Sequence, residues 1–281
     1  MTDSAESAIF RSGLLEGQVC VVSGAGTGLG REASLELMRL GATVIGCGRR
    51  EEPLEGTAQA ATGLPGSFAY ETLDIRDEEA VDAFFDRIVD GHPRIDLLLN
   101  NAGGQFLGPA ETITPKGFRT VTELNVQGTW LMTHAAATKA FIPQGQGKVV
   151  SVTISPHHGM PGMAHSGAAR AGVENLTRTL SVEWARHGIR LIAIAAGQFD
   201  TETLRTKYPQ QIVDQVAGTI PLGRMGTESE FAWMVAYLAS PAGDFHSGSV
   251  ITIDGARDNW FGTWPPGAAT DEGGEPLAEE R

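Results

Sequence analysis

The chain has 281 residues, a length that one α/β domain can accommodate. Hydrophobic residues at 41% and charged residues at 20% supply a core and exclude wholesale disorder, while no apolar run reaches the roughly 18 residues of a membrane span. Thirty-four acidic against 21 basic residues leave a net charge of −13, which disfavours nucleic acid and anionic membrane as partners. The first segment, residues 1–17, carries Asp3, Glu6 and Arg11 without a long apolar stretch, so it reads as an extension rather than a secretory signal. The only two cysteines, Cys20 and Cys47, lie in separate apolar runs and are expected as buried free thiols. A cytoplasmic protein is expected.

From Gln18 onward, short β-branched runs alternate with longer amphipathic ones. Val19–Ser23, Ala42–Cys47, Phe68–Leu73, Ile95–Leu99, Gly147–Ile154, Ile189–Ala195 and Ser249–Ile253 read as strands. Arg31–Leu40, Glu78–Val89, Val126–Phe141, Ala168–Arg186 and Glu228–Ala239 show apolar residues at helical spacing. This alternation predicts an α/β fold: a doubly wound, seven-stranded parallel sheet with helices on both faces, in a single domain over residues 18–255. The remaining segment, 256–281, is a tail rich in glycine, proline and acid, with Trp260 and Trp264 able to pin it or to cover a neighbouring pocket.

The first strand runs into Ser23-Gly24-Ala25-Gly26-Thr27-Gly28-Leu29-Gly30 and then a helix. A diphosphate can sit at such a place on free backbone N–H groups and the positive end of the helix dipole. Gly24 permits the turn, Gly28 lets the backbone approach phosphate and Gly30 lets the helix pack close to the strand; a tight turn without ligand is the alternative. At the end of the second strand, an acidic side chain would hold a ribose 2′-hydroxyl. Gly48-Arg49-Arg50 stands there instead, and guanidinium groups suit a 2′-phosphate, so NADP(H) is the expected cofactor. Asp74, ending the third strand, is placed either to meet the adenine amino group, with Ile75 beside it, or to cap the next helix.

These residues resemble the short-chain dehydrogenase/reductase family over residues 15–255, a Rossmann fold. Asn100-Asn101-Ala102-Gly103 is similar to the family's cofactor-site turn, and Asn125 sits where the family has its helix-kinking catalytic asparagine. Gly197, Phe199 and Thr201 resemble the loop that holds the nicotinamide carboxamide. Asn101-Ala102-Gly103-Gly104-Gln105-Phe106-Leu107 and His165-Ser166-Gly167-Ala168-Ala169-Arg170 are most similar to trans-2-enoyl-CoA reductases, with 2,4-dienoyl-CoA reductases next. The resemblance implies an oxidoreductase acting on a small-molecule acyl thioester, catalytic roles for Asn125, Thr153, Ser166 and Arg170, cofactor contacts from Arg170 as well, and a homotetramer paired through Val126–Phe141 and Ala168–Arg186.

The departures from the family pattern bear on the reaction. Its Tyr-x-x-x-Lys places acid and cation one helical turn apart, and here those positions are Ser166 and Arg170; the position that usually holds serine is Thr153. The tyrosine that replaces the motif tyrosine in dienoyl-CoA reductases falls on Ser155. A ketone reduced to an alkoxide needs a positioned acid, and serine is a far weaker one than tyrosine, whose pKa is about 10. An enoyl thioester leaves an enolate, which hydrogen bonds and a fixed charge can stabilise. Enoyl-thioester reduction is therefore the leading expectation. Alcohol or ketone chemistry on a hydroxyacyl-CoA or steroid-like substrate is a second, and a catalytically inactive nucleotide-binding protein a third. His157, His158, His165 and Tyr208 are the other candidate proton donors, Met160 and Met163 candidate lining for an acyl group, and no metal is expected.

Overall fold

The computed structural model describes residues 5–155 and 157–260, so Trp264 and the tail from Pro265 lie outside the described residues. Seven parallel strands, β1 (Val19–Ser23), β2 (Thr43–Gly48), β3 (Ser67–Thr72), β4 (Leu97–Asn100), β5 (Gly147–Ile154), β6 (Ile189–Ala196) and β7 (Val250–Ile253), form one sheet in the order β3-β2-β1-β4-β5-β6-β7. The single-domain, doubly wound α/β fold is as the alternation predicts. β1 and β4 are buried on both faces, which explains their near-continuous apolar runs, and most of β5 is buried as well although it carries Lys148, Ser151 and Thr153. The order reverses between β1 and β4, and the crevice at the carboxyl ends of those two strands is where such sheets bind ligands.

On one face, α1 (Gly28–Arg39), α2 (Glu51–Ala60) and α10 (Glu228–Ala239) cover a core that includes Leu37, Met38, Leu54, Val150, Ile192 and Phe231. On the other, α3 (Glu78–Gly91), α5 (Gly128–Ala136) and α7 (Ala164–Glu183) cover Val21, Phe84, Phe85, Leu98, Met132 and Leu191. Leu15 of the N-terminal segment is fully buried, and its N–H donates to Leu40 O. Cys20 and Cys47 are buried free thiols, and burial pushes Cys47 up to about 12.

The helix expected over Val126–Phe141 is not continuous. α4 (Pro115–Thr122) leads into a π-helical turn, Glu123–Gln127, followed by α5 and a second such turn, Ala137–Phe141, before the short α6 (Ile142–Gln144). The cause is visible at Asn125, whose side-chain Nδ2 donates to Val121 O at 2.7 Å and takes the carbonyl that the helix backbone would use. At the second turn His134 O accepts both from Thr138 Oγ1, at 2.8 Å, and from the Ala137 backbone N–H. Neither α2, with Pro53 and Gly56 inside it, nor α4, opening on Pro115, shows an uninterrupted apolar stripe. Both start legitimately, because a proline in the first helical turn removes only an N–H that has no partner.

Candidate active site

The turn between β1 and α1 is lashed to the end of β4. Ser23 is fully buried and its hydroxyl accepts from the N–H groups of Asn101 (3.1 Å) and Ala102 (3.0 Å), while Asn101 Nδ2 donates to the carbonyls of Ser23 and Gly24. Gly24 and Gly28 adopt left-handed conformations, with φ of +69° and +54°. A side chain on Gly24 would press on Asn101, and one on Gly30 would collide with Asn101 and Gly24 O, so α1 approaches the strand end at glycine distance. Beside Gly28 the nearest atoms, on Thr201 and Glu228, are 3.9 Å from where a Cβ would lie. That opening, with Thr27, Gly28 and Arg31 along it, is part of a cleft of about 820 Å³ that runs to Arg50 and Arg205. Leu29 is half-buried against the core behind it.

A second crevice continues from Gly24 and Thr27 past Gly48, Arg49, Arg50, Asp74, Ile75, Ala102 and Gly103, and Lys207 closes it from the opposite side. Arg49 and Arg50 are exposed and form no ion pair among the described residues. Asp74 does not cap α3; Asp77 does, accepting from Ala80 N–H. Asp74 instead holds Arg76 through a forked ion pair at 2.5 Å, a hydrogen bond that lowers the Asp74 pKa. Ile75 packs under Gly128 of α5. On the far side, Gly197 N–H donates to Ile253 O, the Phe199 ring is buried edge-on to Phe231, and Thr201 caps α8 (Glu202–Lys207) by accepting from Leu204 N–H.

The π-helical turn aims Asn125 at the loop after β4. Its Nδ2 donates to Gly104 O at 2.7 Å, and its Oδ1 accepts from Gly104 N–H at 3.2 Å. One carboxamide thus bonds both the N–H and the carbonyl of a single residue, Gly104. A Cβ on Gly103 would run into the Arg170 guanidinium and lie 2.7 Å from Asn125 Oδ1, so this glycine keeps the crevice floor open above both groups. Arg170 Nη1 donates to Val152 O at 2.7 Å, and Nε is buried without a hydrogen-bond partner among the described residues. Burial pulls the Arg170 pKa down to about 10, which still leaves it cationic at neutral pH.

One turn before Arg170, Ser166 is fully buried and donates from Oγ to Gln105 Oε1 at 2.7 Å. The other end of the same carboxamide, Gln105 Nε2, donates to the Tyr208 hydroxyl at 3.4 Å. His165 is fully buried edge-on to Phe106, 4.2 Å between ring centres, and its Nδ1 accepts from Ser166 N–H. Burial lowers the pKa of this imidazole. Sequence reasoning placed Ser166 and Arg170 by their motif positions but gave Gln105 no role, since its two partners come from α7 and the end of α8.

Thr153 and Ser166 share no hydrogen bond. Thr153 Oγ1 donates instead to the buried Glu174 Oε1 at 3.1 Å, and the same oxygen meets His157 Nε2 at 2.9 Å. His157 Nδ1 meets Asp258 Oδ2 at 2.5 Å, and its N–H donates to Asp258 Oδ1 at 2.6 Å. Ser155 Oγ donates to Asp254. The loop after β5 is therefore tied both to α7 and to the chain beyond β7. Met160, with His157, Glu174 and Arg170, lines a cavity of about 440 Å³ there.

The arrangement fits a dinucleotide. An open glycine cradle at a helix N-terminus, a partnerless buried Arg170 Nε and a cationic mouth at Arg49, Arg50 and Lys207 are the donor groups that a diphosphate, a ribose and a further phosphate require. Among the described residues no helix is long and apolar enough to cross a membrane, and no cluster of three metal-ligating side chains occurs.

Comparison with known proteins agrees with this reading of the fold. A family profile described as Enoyl-(Acyl carrier protein) reductase matches residues 24–256. The chain is 33% identical over 255 residues to a probable 2,4-dienoyl-CoA reductase [(2E)-enoyl-CoA-producing] of Bacillus subtilis (strain 168), covering 89% of this chain and all of the relative. It is 32% identical to the 3-oxoacyl-[acyl-carrier-protein] reductase of Thermotoga maritima, over 86% of this chain and 98% of the relative. Among solved structures, the citronellol catabolism dehydrogenase of Pseudomonas aeruginosa PAO1 superposes with a TM-score of 0.80 at 40% identity, over 89% of this chain and 98% of the other. Fold, glycine turn, Asn125 and these matches together show that the chain belongs to the short-chain dehydrogenase/reductase family, oxidoreductases that use NAD(P)(H).

Proposed function

We propose that the chain is an NADPH-dependent reductase of an enoyl thioester of the enoyl-CoA class, working as a cytoplasmic homotetramer. The observation that carries this reading is the Ser166–Gln105 hydrogen bond one helical turn from the half-buried Arg170 cation. Where the family's ketone reductions draw on a tyrosine acid, this site offers a serine whose proton is already committed to an amide. A serine hydroxyl is too weak an acid to protonate an alkoxide readily. An enolate makes a different demand, for donors and positive charge facing its oxygen.

The chain supplies both. Ser166 fixes Gln105 Oε1, which turns Gln105 Nε2 and its two N–H bonds outward; one meets Tyr208 and the other is available to a thioester oxygen. Arg170 adds a fixed charge in a poorly solvated place, where it acts more strongly than in water. Asn125 holds the Gly104 peptide and so the loop that carries Gln105. Thr153 anchors Glu174, and through it the loop that closes the acyl side. When bound, the dinucleotide supplies the hydride that goes to the β-carbon of the substrate. NADPH is favoured over NADH by Arg49, Arg50 and Lys207 around Gly48, with no carboxylate at the end of β2.

A second reading, alcohol or ketone oxidoreduction, is favoured by the 40% identity to a citronellol catabolism dehydrogenase. Cofactor oxidation measured against panels of enoyl-CoA, ketoacyl-CoA and simple ketones separates the two. Turnover of enoyl-CoA with little of the others is the expected result; efficient ketone reduction with no enoyl-CoA turnover overturns the proposal.

A further inference from the structure

The geometry points to Tyr208 as the acid that protonates the substrate's α-carbon. This inference rests on the enoyl-thioester reading and asks which of the chain's own groups completes the reaction. Four side chains were candidates from the sequence, and their surroundings differ sharply. His157 has both ring nitrogens taken by the carboxylates of Glu174 and Asp258. His158 is exposed and turned toward Asp258, 3.9 Å away. His165 is fully buried behind Phe106, with Nδ1 accepting from Ser166 N–H. Tyr208 alone among the four shares a hydrogen-bonding partner with the Ser166 hydroxyl.

The manner of sharing matters. Gln105 Nε2 donates to Tyr208 Oη, so the phenol is an acceptor in that bond and its own proton is free to point elsewhere. Ser166 holds the opposite end of the same amide, which sets the amide's orientation and leaves Tyr208 beside the donor assigned to the thioester oxygen. Its neighbour Lys207 lines the cofactor crevice, so the end of α8 lies across the mouth of the site. The other two tyrosines are spent elsewhere: Tyr70 stacks on Phe68 of β3, and Tyr237 bonds His246 behind α10. An enoyl thioester needs two separate services, a donor for the oxyanion and an acid at carbon. This site brings both to one carboxamide: the second Nε2 N–H of Gln105 for the oxygen and the Tyr208 hydroxyl beside it for the carbon.

The step balances. The electron pair of the enolate forms a C–H bond at the α-carbon, the O–H bond of Tyr208 breaks with its electrons left on the phenolate, and the phenolate regains a proton from water. The acyl thioester leaves saturated.

The experiment uses the full chain with NADPH and crotonyl-CoA in deuterated water. Wild type places deuterium on one face of the α-carbon. Tyr208→Phe lowers kcat by about a hundredfold or more with KM changed by no more than roughly threefold, and its residual product carries deuterium on both faces. Unchanged turnover, or slow turnover that still deuterates one face, overturns the assignment. A second measurement does not depend on turnover: butyryl-CoA is titrated into the protein without cofactor while tyrosine difference absorbance is followed. The signal is expected in wild type, Tyr70→Phe and Tyr237→Phe and not in Tyr208→Phe. Its persistence in Tyr208→Phe, or its absence from wild type, overturns contact between Tyr208 and the acyl group. Failure of wild type to reduce any enoyl thioester defeats the reading of the reaction, while the titration still decides whether Tyr208 meets the ligand.

Discussion

Arg170 is the residue on which cofactor and substrate demands converge. Its guanidinium reaches from Val152 O to the backbone at Gly103, and its Nε has no partner among the described residues. Arg170→Ala removes a half-buried cation and the donor to the Val152 carbonyl, so both dinucleotide affinity and turnover should fall, turnover by about 10²–10³. Ser166→Ala leaves the charge in place and frees Gln105 Oε1; turnover should drop only modestly, with dinucleotide affinity unchanged. Stopped-flow kinetics and a dinucleotide titration on the two variants check both. At the cleft's other end, Arg49→Ala should weaken NADPH by about 1.5–3 kcal/mol, the worth of a charged hydrogen bond, and leave NADH unaffected. Equal loss for both dinucleotides would remove Arg49 from the 2′-phosphate. Ser166, Arg170 and Asn125 were visible in the sequence because each occupies a fixed position in a motif. Gln105 was not, since its value lies in a contact across 61 residues of chain that no local pattern encodes.

At the scale of elements, the loop after β5 is held by a clasp that depends on one proton. A neutral imidazole donates from a single nitrogen, so His157 can satisfy Glu174 and Asp258 together only as the imidazolium. Desolvation pulls its pKa down, but the hydrogen bond to Asp258 and the charges of Glu174 and Asp258 outweigh this, and the net shift is upward. Asp258 moves the opposite way: desolvation raises it, and the His157 contacts pull it below its usual value. For a raised histidine, the stabilisation is fully present below the unfolded value of about 6.5 and is lost as pH climbs through the folded one; for a lowered aspartate, it is present above about 3.9 and lost as pH falls through the folded value. The clasp is therefore strongest between those limits. The melting temperature of wild type should fall on going from about pH 6 to about pH 9 more steeply than that of His157→Gln. Parallel curves would show that the clasp contributes nothing to the pH dependence. β5 was legible to the residue because its valines and isoleucine, with Thr153 among them, form a short β-branched run that follows a glycine. The break at Glu123–Gln127 was not, because the side chain of Asn125, rather than any loss of periodicity, takes a helical carbonyl.

At the scale of the molecule, the surface over α5 and α7 is unlike that of a monomer at ease in water. Trp130 remains partly exposed in a groove that it forms with Leu176 and Thr177, Val182 is 78% exposed, and Ala168 and Ala171 present small side chains outward. Ala169, expected beside them at a contact, instead faces the protein's own core, and Gly172 looks toward Val126. Two copies meeting across a two-fold axis here would bring the small residues of one α7 against the other and cover Trp130, and a second axis would complete a tetramer. Each copy carries a net charge of −13, so like-charge repulsion works against this assembly and is screened by salt. Light scattering at micromolar concentration should give a tetramer, and lowering ionic strength should promote its dissociation. Trp130→Glu places a carboxylate in the groove where it would have to be desolvated on contact, so this variant should sediment as a smaller species while keeping the wild-type far-ultraviolet circular dichroism. A wild-type monomer at all ionic strengths, or a Trp130→Glu protein as tetrameric as wild type, would move the interface away from α5 and α7.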